Sequence, residues 1–178
     1  MVTIRRATAS ADDATSIARV HVASWQWAYA GLLPDDVLAG LSVPERAARW
    51  RDILSAEDAG VTFVAGGPAG GVGFVSVGPD RADVGGPGVG ELYALYVHPA
   101  VAGTGVGRRL HDHGLAWLGS DGLLPAHLWL LDGNERARRF YERCGWRPDG
   151  VTKREAHPDG FEMAVTRWVW DRPVPASA

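Results

Sequence analysis

The sequence predicts a single domain with a mixed α/β layer structure, and three observations carry that reading. Runs rich in β-branched and aromatic residues alternate with stretches whose apolar residues recur at helical spacing. Glycine, proline and capping residues punctuate the joins between them. No repeat, linker or shift in composition divides the chain, so residues 1–178 form one unit, ordered to about residue 172. A chain of 178 residues buries roughly 70% of its unfolded surface, enough for a core without metal or disulfide support.

Residues 3–7 open the chain as a short strand. A helix over about 12–29 follows, capped by Ser10 or Asp12, with Ala14, Ile17, Ala18 and His21 at helical spacing. Leu33-Pro34-Asp35 restarts a short helix. Ser42 and Glu45 have the spacing of a capping box and launch a further helix to about residue 54. Residues 61–65 and 71–77 are β-rich and flank a glycine-rich break, the pattern of a hairpin. Residues 78–90 hold five glycines and two prolines without periodicity and read as a long loop. A strand over 91–98, a helix from Gly105 to about 118 and an apolar strand over 127–131 come next. Asn134 then opens a helix that runs to Cys144 and stops at Gly145. Two last strands, over about 150–156 and 161–170, meet at His157-Pro158-Asp159-Gly160, and residues 173–178 are expected to fray.

Composition excludes several classes. Apolar residues make up 46% and charged residues 22%, which argues against disorder. A net charge of −3 gives no overall attraction to nucleic acid or to anionic lipid. No window approaches the ~20 apolar residues of a membrane span, and the start lacks a signal-peptide stretch, so the protein reads as soluble and cytoplasmic. Cys144 is the only cysteine. It sits on an amphipathic pattern and reads as a small core residue, not a nucleophile. His21, His98, His111, His113 and His127 show no sequence pairing with Cys, Asp or Glu, so no metal is expected.

The most informative segment is the turn that joins the strand over 91–98 to the helix after it. Glycines 103, 105 and 107 let the backbone approach a ligand closely. At a helix start, unpaired N–H groups and the helix dipole favour an anion. The pattern is G-x-G-x-G, neither the G-x-G-x-x-G of a dinucleotide fold nor a P-loop with its Lys-Ser/Thr pair, and it does not open a βαβ unit. A helix start that simply needs a flexible approach after Pro99 is the plain alternative.

Val97-His98-Pro99 followed by Ala102-Gly103-Thr104-Gly105-Val106-Gly107 resembles the acyl-CoA pyrophosphate motif, Q/R-x-x-G-x-G/A, of the GNAT N-acetyltransferase superfamily. Asn134, Ala137, Phe140, Tyr141, Gly145 and Trp146 are similar to that family's second signature, N-x-x-A-x-x-F-Y, three residues, then G-F/W. The likeness extends over essentially the whole chain. It implies a central, mostly antiparallel twisted sheet of about seven strands, with strands 4 and 5 splayed and helices on both faces. It also implies acetyl-CoA, or coenzyme A, as the bound cofactor. Ala102 departs from the motif, standing where the family has Gln or Arg.

The resemblance assigns roles residue by residue. Leu95 would offer its N–H to the thioester carbonyl, and Tyr96 and Val97 would run beside the pantetheine arm. Ala102, Gly103, Thr104, Gly105, Val106, Gly107 and Arg108 would hold the pyrophosphate, with Asn134 touching the cofactor as well as capping its helix. Tyr141 is the candidate acid for the leaving thiolate; its i, i+3, i+4, i+7 stripe with Ala137, Phe140 and Cys144 reads equally as core. Glu91 is the candidate base and a substrate-side residue, or an exposed charge at a strand start. Of the arginines beginning the two helices, only Arg108 is expected to clamp phosphate.

The acceptor side implied by the resemblance is the aromatic stretch 25–34. Trp27 or Tyr29 would wall it, and Asp35 or Asp36 would attract a cationic amine. The Trp-x-x-Ala-Tyr-x-Gly-Leu-Leu-Pro opening resembles a subgroup containing small-molecule and polyamine acetyltransferases. Direct transfer from acetyl-CoA to a small primary amine or polyamine is therefore expected, without nucleic-acid or membrane partners and with a homodimer left open. A protein or peptide amine is the rival acceptor. A non-catalytic acyl-CoA sensor is the rival class.

Overall fold

A computed structural model describes residues 2–56, 60–67, 70–81, 86–156 and 160–172. Its centre is a seven-stranded sheet in the order β1-β2-β3-β4-β5-β7-β6. The strands are β1 Thr3–Arg6, β2 Val61–Gly67, β3 Gly70–Pro79, β4 Gly90–Val97, β5 Ala126–Leu131, β6 Arg147–Ala156 and β7 Glu162–Trp170. Every neighbouring pair is antiparallel except β4 and β5, which run parallel. Helices α1 Ala11–Ala28, α2 Asp35–Ala39 and α3 Val43–Ser55 precede β2; α4 Val106–Ser120 follows β4, and α5 Glu135–Cys144 follows β5.

Strand alternation sends neighbouring side chains to opposite faces. Phe74 packs with Ile17, Ala18, Val20 and Trp50 on the α1 and α3 side. Val75 and Val77 pack with Leu110, Leu115, Leu118, Leu128 and Trp168 on the α4 side. The sheet is thus covered on both faces, as expected. Among the described residues no helix is long and apolar enough to cross a membrane.

Local chemistry set most boundaries. Ser10, not Asp12, caps α1 by accepting the Asp13 N–H, and Ser42 accepts the Glu45 N–H at the start of α3. Asn134 accepts the Ala137 N–H, while Gly145 ends α5 at φ +98°. Three boundaries move. The expected loop over 78–90 is shorter, because β3 continues through Pro79, β4 begins at Gly90, and the Asp80 N–H bonds Val89 O at 3.0 Å. A short 3-10 turn, Pro99–Val101, intervenes before α4. β6 starts at Arg147, ahead of Pro148, because it is an edge strand and needs no N–H there. The hairpin break at 68–69, the turn at 157–159 and the tail at 173–178 lie outside the described residues.

Asp13 is buried at the start of α1 and accepts from Arg5 Nη1 at 2.9 Å and from the Thr8 N–H at 2.8 Å. The Arg5 hydrogen bond is the main cause that lowers its pKa from 3.8 to about 2. A depressed carboxylate contributes stability above its unfolded pKa and loses it as pH falls toward the folded value. Asp13→Asn is therefore expected to lower unfolding free energy by about 2 kcal/mol at pH 7. By urea titration, that difference should shrink between about pH 4 and pH 2.

Candidate active site

β4 and β5 are joined only at Gly90↔Ala126 and Glu91↔His127. Beyond that rung the two strands part, so Leu92–Val97 and Leu128–Leu131 face each other across a gap. One cause lies on the β3 side of β4. The register shifts between Ser76↔Ala94 and Val77↔Leu92, leaving Tyr93 as an extra, bulged residue, and a bulge twists its strand away from the neighbour. The gap widens into a cleft of about 710 Å³ lined from both strands, α1, α5 and the glycine turn.

The edge facing this cleft carries unpaired main-chain groups. His98 donates its N–H to Val72 O on the β3 side at 2.8 Å. Counting back along an extended strand, the N–H of Tyr96 also faces β3, and those of Val97 and Leu95 point into the cleft. Ser24, buried on α1, donates to Val97 O at 2.9 Å and fixes that carbonyl.

At the mouth, Gly103 and Gly105 take φ +82° and +89°, a left-handed conformation that costs other residues about 1–2 kcal/mol. A Cβ at either position would meet nothing within 4 Å, so both face open space. Gly105 caps α4 without any side-chain hydrogen bond, and the first helical bond is Arg109 N–H to Gly105 O. The N–H groups of residues 105–108 are therefore free of helical partners and directed at the mouth. The N–H groups of Ala102 and Thr104 bond Pro99 O and Val101 O inside the turn, while Ala102 lines the cleft.

α5 forms the opposite wall. Ala137, Phe140, Tyr141 and Cys144, the stripe that fits a core equally well, all line the cleft while packing on the core behind it. Tyr141 is 7% exposed, and burial is the first cause that raises its pKa, so the phenol keeps its proton. Burial likewise pushes the Cys144 thiol up to about 11, which leaves almost no thiolate near neutral pH. Asn134 lines the cleft as well as capping α5.

The gap crosses the sheet, so groups from the α1 side approach those from α5. The hydroxyls of Tyr29 and Tyr96 are 3.1 Å apart, and both interact electrostatically with Tyr141. The Tyr96 ring stacks on His21 at 5.1 Å, which places its side chain with Tyr29 at the cleft. Trp25 takes the core position, 6% exposed. Trp27 is 41% exposed and carries the Arg136 guanidinium 3.7 Å over its ring.

Glu91 does not join this group. It is 4% exposed, and both its oxygens accept from the Arg81 side chain, at 2.7 and 3.3 Å. It is absent from the described residues that line the cleft. Its carboxylate, Asp80 and His127 each place one ligand atom within 4.8 Å of the others, with His127 Nε2 3.1 Å from Asp80 Oδ1. That histidine–carboxylate pairing was invisible in the spacing. Arg81 occupies both Glu91 oxygens, compensates that buried charge and makes a clasp at the vertex where β4 and β5 separate. Asp35 and Asp36 are likewise absent from the described lining. Arg108 does line the cleft; Arg138 instead pairs with Glu135 and Glu142. Ser24, Trp129, Arg136 and Arg143 line it without having been expected.

The comparisons agree with this geometry. Residues 22–146 match the Acetyltransferase (GNAT) family. An uncharacterised N-acetyltransferase, YuaI of Bacillus subtilis, is 35% identical over 168 residues, covering 94% of this chain and 88% of that protein. A mycothiol acetyltransferase of Beutenbergia cavernae is 40% identical over 62 residues, 35% of this chain but 21% of that protein. In fold, the PaiA N-acetyltransferase of Thermoplasma acidophilum, solved with coenzyme A, superposes with TM-score 0.71 at 18% identity over 92% of this chain and 98% of that one. A GCN5-related N-acetyltransferase of Rhodopseudomonas palustris gives TM-score 0.74 at 24% identity, over 96% and 95% of the two chains. With a parted parallel strand pair, a donor-rich helix start and a family match over most of its length, this chain belongs to the GNAT family of acetyltransferases and uses acetyl-CoA as its acetyl donor.

Proposed function

We propose that the protein transfers the acetyl group directly to the primary amine of a small molecule. The observation that carries this reading is the parting of β4 from β5 beside Tyr141. Acetyl-CoA supplies an activated thioester; the residues supply position, charge stabilisation and a proton. The N–H groups of residues 105–108 hold the diphosphate, helped by Arg108. The cleft-facing N–H of Val97 pairs with the pantetheine arm as an added strand would. The Leu95 N–H faces the carbonyl oxygen, where negative charge grows during attack. Tyr141 donates its proton to the departing thiolate. Cys144, held as a thiol, forms no acyl intermediate.

The acceptor side favours a compact amine. Trp27, Tyr29, Tyr96 and Trp129 converge there, the aromatic lining that holds a small ligand with an apolar body. The described lining carries three arginines and no carboxylate, so a polyamine's further cationic groups find no partner there. Thiol release from acetyl-CoA across a panel of small amines, polyamines and peptides tests the reading. Turnover with small monoamines is the expected result. Tight acetyl-CoA binding without release on any amine would make the domain a sensor, and release on peptides alone would make it a protein acetyltransferase.

With Arg81 on both oxygens, Glu91 serves the clasp, and the amine proton leaves through water. Glu91→Gln is expected to cost about 1–3 kcal/mol of stability, by leaving Arg81 without its charge partner. The pH dependence of kcat should keep its wild-type shape. Loss of the acidic limb of that profile would instead make Glu91 the proton acceptor.

A further inference from the structure

Behind the cleft wall, in the core between α4 and α5, lies a polar chain that the transfer reaction does not use directly. His111 is fully buried, boxed by the rings of Phe140, Trp146 and Trp170 at about 6 Å. Its Nε2 receives the Trp146 indole N–H at 2.7 Å. An indole nitrogen can only donate, so Nε2 is the acceptor and the neutral ring carries its proton on Nδ1. Nδ1–H then donates to Asp112 Oδ1 at 2.8 Å. Both Asp112 oxygens also accept from Arg108 Nε at 2.8 Å.

Each end of the chain reaches a cleft residue. Arg108, in the first turn of α4, lines the mouth beside the glycine turn. Trp146 packs its ring 6.0 Å from that of Tyr141 and gives its main-chain N–H to Tyr141 O at 3.0 Å. One imidazole therefore ties the phosphate side of the cleft to the proton-donor side.

Resting on the function proposed above, we propose that His111 is a positioning residue: as a neutral, Nδ1-protonated ring it aims Arg108 through Asp112 and sets Tyr141 through Trp146. The two arms act on different steps. The Asp112 arm governs acetyl-CoA binding, because Arg108 meets phosphate in the ground state and the transition state alike. The Trp146 arm governs turnover, because the Tyr141 proton matters only as the thiolate departs. A histidine kept for packing alone would not divide its effects in this way.

Asparagine and glutamine separate the arms. The asparagine amide reaches the place of Nδ1 and keeps the Asp112 bond; the glutamine amide reaches the place of Nε2 and keeps an acceptor for Trp146. His111→Gln is expected to raise the Kd and KM for acetyl-CoA about tenfold, with kcat changing less than about twofold. His111→Asn is expected to lower kcat about tenfold, with Kd changing less than about twofold. Asp112→Ala alters a half-exposed side chain and should repeat the rise in Kd. In the wild type, nitrogen-15 NMR of the ring should show the proton on Nδ1. Parallel changes of Kd and kcat in both histidine variants, an unchanged Kd in Asp112→Ala, or a ring protonated on Nε2 would each overturn the proposal. Calorimetric Kd and the ring tautomer need no acceptor amine. A wild type that binds acetyl-CoA yet acetylates nothing therefore refutes the proposed function while these readouts still decide the role of His111 in binding.

Discussion

Tyr141→Phe is expected to lower kcat about 100-fold while changing the Kd for acetyl-CoA less than about twofold. The substitution removes one oxygen and keeps the ring that packs against Phe140 and Trp146, so the cleft wall survives and only the proton source is lost. The pH dependence supports the same point with a definite sign. An acid must hold its proton to act, and burial raises the Tyr141 pKa, so activity should not fall on the alkaline side up to about pH 10, the ordinary tyrosine value. Steady-state kinetics from pH 6 to pH 10 with an active amine check both statements. A kcat within threefold of wild type in the phenylalanine variant would remove Tyr141 from the chemistry.

Gly105→Val should weaken acetyl-CoA binding more than tenfold, for two reasons that act together. Valine is β-branched and cannot adopt φ +89° without strain, at a cost of about 1–2 kcal/mol or more. Relief of that strain would rotate the N–H groups of residues 105–108 away from a common focus. The added side chain would also project into the open space at the mouth that the diphosphate is to fill. The expected pattern is a large rise in Kd by calorimetry, with thermal stability reduced by a few degrees. Val106, buried in the core at the first position of α4, keeps the helix seated, which confines the damage to the turn.

What could be read in advance follows from where the chemistry is local. The glycine turn, the Ser10, Ser42 and Asn134 caps and the end of α5 at Gly145 depend on residues within one helical turn of each other, and all were legible. The parting of β4 and β5 was legible only through the family likeness, because nothing in either strand's own sequence denies it a full-length partner. Glu91 was the costly case. Its guanidinium partner, Arg81, lies across a glycine-rich stretch with no periodicity, so spacing could not reveal that the carboxylate was already engaged. Ser24 and Arg136 were missed for a related reason. Their roles depend on how α1 meets β4 and α5 at the cleft, through Ser24 to Val97 O and Arg136 over Trp27, contacts between residues far apart in sequence. The His111 chain was not legible: Asp112 is its neighbour in sequence, but the links to Asp112, Arg108 and Trp146 needed the fold.

A crystal structure of the protein with acetyl-CoA bears most directly on all of this. The diphosphate should lie within hydrogen-bond distance of the main-chain N–H groups of residues 105–108, the thioester carbonyl about 3 Å from the Leu95 N–H, and the sulfur beside the Tyr141 hydroxyl. A cofactor bound elsewhere, or β4 and β5 closed along their length with the ligand held outside them, would contradict it.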